Sequence, residues 1–154
     1  DLGVEVITGV LDPEILPELD DLCQKYEIYY AIENHKGNVF EKAETILEAL
    51  DGYSDYIGAN VDTGHFAVAG LDPVEEVQKL SGRTYHVHFK DSDQQKPLGE
   101  GEVNLEEVLK VLKNQGFDRL LSIEHFEYEG IDDDTLKKGL TKALSYVQNL
   151  SDKT

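Results

Sequence analysis

The sequence predicts an α/β protein built around a parallel β-sheet. Runs rich in β-branched and aromatic residues alternate with runs that carry apolar residues at helical spacing, and this alternation is typical of βα units. Histidines and acids also gather at the ends of the predicted strands, as in Asp62-Thr63-Gly64-His65. Because right-handed crossovers place the C-terminal ends of parallel strands on one face, we expect these side chains to converge there.

Length and charge limit the classes of function. The chain has 154 residues, 40% of them hydrophobic, which predicts a single domain over residues 1–154. It carries 14 basic against 32 acidic residues, a net charge of -18, and such a surface repels phosphate backbones and anionic lipids. We therefore expect no nucleic acid and no membrane as a partner. The lone cysteine, Cys23, forms no internal disulfide, which fits a cytoplasmic location.

The first two predicted units are marked by helix signals. Residues 4–8 form a β-rich run, after which Asp12 is a predicted N-cap with Pro13 at the first helical position. The second unit has a strand over residues 28–33 and a helix over residues 40–50. The apolar face of the first helix is formed by Ile15, Leu16, Leu19 and Leu22.

Three further units continue the alternation. The predicted strands are 56–62, 84–89 and 120–124, and the predicted helices are 72–80, 104–116 and 133–150. A complete (β/α)8 barrel needs about 250 residues. With five units, the chain is expected to be an incomplete barrel that lacks about three units.

Four residues at the ends of successive predicted strands are the expected metal ligands: Glu33, Asp62, His88 and Glu124. One acid at a strand end is usually a solvated loop residue, but four consecutive strand ends on the same face favour a functional site. Three carboxylates and one imidazole form a mostly oxygen site, which suits one divalent ion. Mn²⁺ is the expected ion, with Mg²⁺, Co²⁺ and Zn²⁺ as alternatives.

Other side chains near these strand ends are candidates for substrate binding. His86 lies two residues before His88, so both point to the same side of their strand, with His86 one layer deeper. His65 is expected in the loop after Asp62, within reach of a ligand or a substrate hydroxyl. Lys90 shares the side of His88 and can hold a substrate oxygen, although a solvated lysine fits the sequence equally well.

Two more histidines are weaker candidates for substrate contact. His35 and His125 follow the stronger candidates Glu33 and Glu124 closely in the chain. The glycines in Leu98-Gly99-Glu100-Gly101-Glu102 do not predict a phosphate-binding loop, because Gly-Lys-Ser/Thr is absent and two acids stand among them. A tight loop over the mouth of the barrel is preferred.

At these residues the chain resembles the xylose isomerase-like TIM-barrel superfamily, which contains sugar phosphate isomerases and epimerases, inosose dehydratases and the family 2 AP endonucleases. The resemblance covers nearly the whole chain and implies strands four to eight of a TIM barrel. Ile32-Glu33-Asn34-His35 resembles the strand-five segment and Asp62-Thr63-Gly64-His65 that of strand six. His86-Val87-His88-Phe89-Lys90-Asp91 resembles strand seven, and Ile123-Glu124 resembles strand eight. The resemblance implies the same four metal ligands and a substrate contact by His65.

The sequence departs from this pattern in two places. The AP endonucleases have an Asp-x-His pair in the loop after strand seven, whereas residues 92–97 contain no histidine. Together with the acidic charge, this argues against a DNA-repair nuclease. Strands one to three have no counterpart, so we expect the missing N-terminal half of the barrel to come from elsewhere or the chain to form a homo-oligomer.

The resemblance implies a divalent-metal-dependent sugar or polyol isomerase or epimerase, with Glu33 and Glu124 as the catalytic residues. One of them removes the proton next to a carbonyl, giving an enediolate. His35, His65, His86 and Lys90 are the expected substrate-binding residues. The alternatives are an inosose-type dehydratase, which uses the same proton abstraction, and a non-catalytic barrel fragment that keeps the metal site.

Overall fold

A five-stranded parallel sheet forms the centre of the computed structural model, which describes residues 3–91, 96–124 and 131–154. The strands are β1 (Val6–Gly9), β2 (Tyr29–Glu33), β3 (Ile57–Asp62), β4 (Thr84–Phe89) and β5 (Leu121–Ile123). Each strand pairs in parallel with the next in the chain. An order without reversal is that of a barrel segment, because a doubly wound sheet reverses its order at a switch point. The predicted α/β class and incomplete (β/α)8 barrel are confirmed.

In the described part of the chain, six α-helices cover one face of this sheet. They are α1 (Leu16–Tyr26), α2 (Ala43–Leu50), α3 (Thr63–Val68), α4 (Pro73–Lys79), α5 (Leu105–Asn114) and α6 (Asp133–Lys153). The helix-facing side of the strands is fully buried at residues such as Ile32, Val61 and Phe89. Cys23 is buried in α1. The core therefore lies between sheet and helices, and the inner side of the strands is left for polar groups.

Most helix starts follow local signals, and two differ from expectation. Asp12 caps a 3-10 turn, Pro13–Ile15, and α1 begins only at Leu16. The second helix was expected from residue 40 but begins at Ala43, whose N–H donates to the Glu76 carboxylate at 2.8 Å. This cap comes from α4, so a distant residue decides where α2 starts.

The expectation that His65 lies in a loop is wrong. His65 lies in α3, which follows β3 without a break. The Asp62 carboxylate accepts a hydrogen bond from the His65 N–H at 2.7 Å and so caps this helix. The last residue of β3 is therefore also the N-cap of α3, which fixes His65 close to the strand end.

A β-bulge shifts the register between β3 and β4. Ala59 pairs with Thr84, but Asn60 pairs with His86, so Tyr85 is an extra residue on β4. Gly58 makes room for this bulge, because a Cβ there would lie 2.6 Å from the Arg83 carbonyl oxygen and would also overlap the Tyr85 ring. Bulges of this kind re-aim the side chains that follow them.

Both edges of the described sheet expose apolar side chains. Val4, Ile7 and Val10 are about half exposed beside β1, and Leu120 is 77% exposed before β5. Unpaired strand edges with apolar neighbours are surfaces for further pairing. Among the residues that the structure describes, no helix has the length and apolar character needed to cross a membrane.

Candidate metal centre and active site

The C-terminal ends of the strands bring the four predicted metal ligands together. Asp62 pairs directly with His88 across β3 and β4. His88 Nδ1 lies 3.2 Å from Glu33 Oε1 at the end of β2 and 3.4 Å from Glu124 Oε2, just beyond β5. His88 is the penultimate residue of β4 and Glu124 the first after β5, so the predicted strand ends are displaced by one residue without dispersing the cluster.

The bulge at Tyr85 decides which side of β4 faces this cluster. Paired residues of parallel strands point to the same side of a sheet, and a shift by one residue turns every side chain to the opposite face. Without the extra residue, Asp62 would stand opposite Val87 instead of His88. Gly58 and Tyr85 therefore position the imidazole, and sequence reasoning did not identify this role.

The ligand atoms form two overlapping groups that share Asp62. One group contains Asp62, His88 and Glu124, and the other contains Glu33, Asp62 and His65; within each group the candidate ligand atoms lie within 4.8 Å of one another. Thus the structure joins Glu33 to Asp62 and His65 more closely than to Glu124. The predicted set of four is reproduced as a cluster around Asp62, with His65 as an additional donor.

The donor set fits a divalent cation. Asp62 is fully buried, and its Oδ2 has no hydrogen-bond partner among the described residues. The His65 Nε2 and Lys90 Nζ atoms are each 3.8 Å from this oxygen, beyond hydrogen-bond distance. An unpaired carboxylate oxygen is costly to bury, and carboxylates with one imidazole are ligands that Mn²⁺, Co²⁺ or Mg²⁺ accepts.

Burial dominates the electrostatics of Asp62 and raises its pKa to about 6. Asn34 fixes the backbone of this residue, because its Oδ1 accepts from the Asp62 N–H at 2.7 Å and its Nδ2 donates to the Asp62 carbonyl at 3.0 Å. Asn34 is itself fully buried. Sequence reasoning missed this role, although an asparagine directly after a predicted ligand was a signal.

Glu33 and His88 form a charge-assisted pair. The hydrogen bond from His88 lowers the pKa of Glu33, against the opposing effect of burial. Burial by itself lowers the pKa of His88, but the hydrogen bond to Glu33 and the nearby carboxylates together raise it. Glu33 is therefore ionised near neutral pH, as a base must be.

Lys90 lies inside the site. Its Nζ donates to Glu124 Oε1 at 2.7 Å. Burial alone lowers the pKa of Lys90, yet the hydrogen bond to Glu124 and the charge of Asp62 raise it above its ordinary value. The structure thus places a charged ammonium group beside the candidate ligands Asp62 and Glu124. Lys90 is therefore not the solvated surface lysine that was the alternative prediction.

Two of the other candidate histidines lie at the mouth of the site and one lies deeper. The rings of His35 and His65 have centroids 3.9 Å apart. Burial, with a contribution from His35, lowers the pKa of His65 to about 4, so His65 is neutral at physiological pH. His86 Nε2 lies 2.8 Å from Ser122 Oγ, one layer below His88. His125 lies outside the described residues.

Asp91 organises the glycine-rich segment over residues 99–103. Its carboxylate accepts hydrogen bonds from the N–H groups of Gly99, Gly101 and Val103 at 2.7, 2.9 and 2.9 Å. A Cβ at Gly101 would lie 2.5 Å from the Asp91 carboxylate, so the close approach requires glycine. The glycine-rich segment is therefore a tight loop over the carboxylate that follows Lys90.

Residues 14–149 match the family described as Xylose isomerase-like TIM barrel, so the chain belongs to this family. It is 33% identical over 138 residues to the uncharacterized protein MJ1311 of Methanocaldococcus jannaschii, covering 81% of this chain and 47% of that protein. It is 28% identical over 132 residues to an inosose isomerase of Bacillus velezensis, covering 75% of this chain and 46% of that enzyme.

Solved structures agree with this assignment. A D-tagatose 3-epimerase-like protein superimposes with a TM-score of 0.74 and 26% identity, covering 96% of this chain and 63% of that chain. The chain spans about half the length of the curated relatives described above. The predicted resemblance to the xylose isomerase-like superfamily is confirmed.

Proposed function

We propose that this chain carries the metal centre and the proton-transfer residues of a sugar or polyol isomerase or epimerase. The observation that carries the proposal is the buried Asp62. Its Oδ2 has no hydrogen-bond partner among the described residues, and its carboxylate offers an oxygen within 4.8 Å of ligand atoms of His88 and Glu124. The relatives of this chain include an inosose isomerase, which supports a small polyol or sugar as the substrate.

In the proposed site, Asp62, His88, Glu33 and Glu124 hold one divalent cation, with Mn²⁺ as the expected ion. When bound, such a cation polarises a carbonyl and its neighbouring hydroxyl and stabilises the enediolate. The carboxylate-rich donor set favours Mn²⁺, Mg²⁺ or Co²⁺ over ions that prefer sulfur ligands.

The protein's own residues move the proton. Glu33, whose pKa is lowered by His88, takes the proton from the carbon next to the carbonyl, and the electron pair of the C–H bond forms the enediolate. Glu124 lies against the same imidazole nitrogen; it gives the enediolate a proton that it has taken from solvent, and Glu33 then releases its proton to solvent. Return to the opposite face of the same carbon gives an epimer. Return to the neighbouring carbon gives an isomer, because the hydroxyl proton then passes from one enediolate oxygen to the other and the carbonyl forms at the first carbon.

The remaining polar groups bind the substrate. Lys90 presents an ammonium group to a substrate oxygen, from its position 2.7 Å from Glu124. Neutral His65 can donate to or accept from a substrate hydroxyl, and the His35 ring packs against it at a tilt of 44°. His86 faces the inner surface below these groups and limits the depth of the pocket.

Lys90 also favours a second candidate, a dehydratase acting on a keto-polyol. After the same proton abstraction, a hydroxide must leave from the next carbon. An ammonium beside Glu124 can protonate that departing group, so that water is lost. The two candidates share Glu33 as the base and differ in the product.

We further propose that residues 1–154 form the C-terminal portion of a barrel whose other units complete the substrate pocket. The exposed edges at Val4 and Leu120 and the partial coverage of the relatives support this. The missing half comes from a further segment or from a second copy of the chain.

The test combines metal binding with proton exchange. Calorimetric titration with Co²⁺ or Mn²⁺ is expected to show one site in the wild type that is lost in His88→Ala. With ketoses and keto-inositols in deuterated water, Glu33→Gln and Glu124→Gln are expected to slow exchange of the α-proton by at least about 10²-fold. Product analysis, epimer or isomer against dehydrated ketone, separates the two candidates.

The matched control is Glu106→Gln, which removes an acid from the surface of α5, where Glu106 pairs with Lys110. It is expected to bind metal and exchange protons as the wild type does. A Glu33→Gln, Glu124→Gln double variant that retains metal and exchanges at the wild-type rate would rule out the proposed mechanism.

A further inference from the structure

Asn60 lies on the inner face of β3, one layer below Asp62, and is fully buried. Its Nδ2 lies 3.3 Å from both Nδ1 and Nε2 of His88. These residues are 28 positions apart in the chain, so the contact exists only through the pairing of β3 and β4. The bulge at Tyr85 places His86 directly opposite Asn60, and the amide therefore reaches the next inward ring, His88.

Burial of this amide has a cost that packing alone does not explain. Asn60 Oδ1 has no hydrogen-bond partner among the described residues. A buried polar atom without a partner costs about 1–3 kcal/mol, which an apolar side chain at this position would avoid. Among the described residues, the Asn60 side chain makes its hydrogen-bond contact with the His88 ring.

We infer that Asn60 is a positioning residue that holds the His88 imidazole at the angle at which it faces Asp62 and Glu124. The equal distances to the two nitrogens place the amide over the face of the ring, because an amide in the ring plane at these distances would collide with Cε1. It therefore restrains rotation of the ring and leaves Nδ1 to pair with Glu33, 3.2 Å away. The His86 ring, edge-on with its centroid 5.4 Å from that of His88, confines the same imidazole from a second direction.

The consequence concerns the metal, so the inference rests on the proposed function. Groups that orient a ligand histidine change metal affinity by about 10- to 100-fold when they are removed. Without the amide, the His88 ring loses one of the contacts that hold it in the orientation in which it meets Asp62 and Glu124, and it is less restrained. Binding then includes the entropic cost of ordering the ring.

The experiment compares Asn60→Leu with Ser122→Ala. Leucine keeps the volume of the side chain but removes the amide. Ser122 pairs with His88 across β4 and β5, but its hydroxyl contacts the His86 ring. Its loss therefore removes a nearby polar group and leaves the contact between Asn60 and His88 in place. Calorimetric titration with Co²⁺ is expected to show an affinity about 10- to 100-fold weaker in Asn60→Leu and unchanged in Ser122→Ala. Equal affinities in Asn60→Leu and the wild type would overturn the inference.

A second measurement needs no metal. In the wild type, proton NMR is expected to show a nuclear Overhauser contact between the Asn60 side-chain amide and the His88 Hε1, and broader His88 ring signals in Asn60→Leu. Absence of that contact in the wild type overturns the inference even if cobalt binds. If the wild type does not bind Co²⁺, the proposed function fails, and the NMR contact still decides the role of Asn60.

A variant that keeps a donor guards against loss of folding. Asn60→Thr retains a hydroxyl at this position and is expected to bind Co²⁺ more tightly than its isosteric partner Asn60→Val. Both are β-branched residues suited to a strand. Equal affinities in this pair, in folded proteins, would count against a polar contact with His88.

Discussion

Replacing Asp62 by asparagine is expected to stabilise the protein above pH 7 while abolishing metal binding. Asp62 is fully buried, and burial raises its pKa from 3.8 to about 6. A rise of this size corresponds to about 3 kcal/mol of unfavourable free energy when the carboxylate is ionised in the folded state. Asparagine has the same shape, and its Oδ1 can still accept from the His65 N–H that caps α3.

The expected gain in the free energy of unfolding increases as the pH rises. The pKa of Asp62 is higher in the folded protein than its ordinary value of 3.8, so the protonated side chain favours folding. This contribution is fully present below the ordinary pKa and is lost as the pH rises through about 6. Relative to the wild type, Asp62→Asn is therefore expected to gain almost nothing near pH 4 and about 3 kcal/mol at pH 8.

Urea denaturation of chelator-treated protein at several pH values measures this difference. The matched control is Asp72→Asn, which also replaces an N-cap aspartate but at an exposed position, where the carboxylate accepts from the Val74 N–H at 2.9 Å. This control also removes one carboxylate charge, but from a side chain that is not buried. Its free energy of unfolding should therefore show no gain that grows with pH. The reasoning is refuted if Asp62→Asn is no more stable than the wild type at pH 8, or if its gain is the same at pH 4 and pH 8.

Three further outcomes are expected. The affinity of the wild type for Co²⁺ should fall as the pH drops below about 6, because protons then compete for Asp62; equal calorimetric affinities on both sides of this pH would contradict it. Gly58→Ala should lower the free energy of unfolding by about 1–3 kcal/mol and weaken Co²⁺ binding, since the added Cβ crowds the Arg83 carbonyl and the Tyr85 ring. Urea denaturation and titration that both match the wild type would remove the role given to the bulge. The chain should self-associate or bind a segment that pairs with its exposed edges at Val4 and Leu120, and a stable, folded monomer in sedimentation would count against this.

Local patterns in the sequence are strong enough to predict the alternation of strands and helices. The predicted strand over residues 84–89 is observed as Thr84–Phe89, because alternating side chains and flanking turn residues specify a strand without help from distant residues. The Asp72-Pro73 signal likewise marks the start of α4, where the Asp72 carboxylate caps the Val74 N–H. Such elements depend on residues a few positions apart.

Elements that depend on distant partners were not predictable in this way. The start of α2 at Ala43 is set by Glu76 on another helix. The helix α3 has only six residues, too few for a periodic apolar pattern, and it forms where the Asp62 carboxylate caps it.

For the candidate site, the sequence by itself determined which residue types stand at the strand ends. Because crossovers are right-handed, these ends had to converge on one face, and Glu33, Asp62, His88 and Glu124 do lie together. The sequence did not determine how they group around Asp62, that Lys90 pairs with Glu124, or that Asn34 and Asn60 support the cluster. The side of β4 that faces the site depends on one extra residue at Tyr85, and a register shift leaves no trace in composition or periodicity. Only the tertiary structure decides such contacts, because they join residues far apart in the chain whose distances depend on how the strands pair.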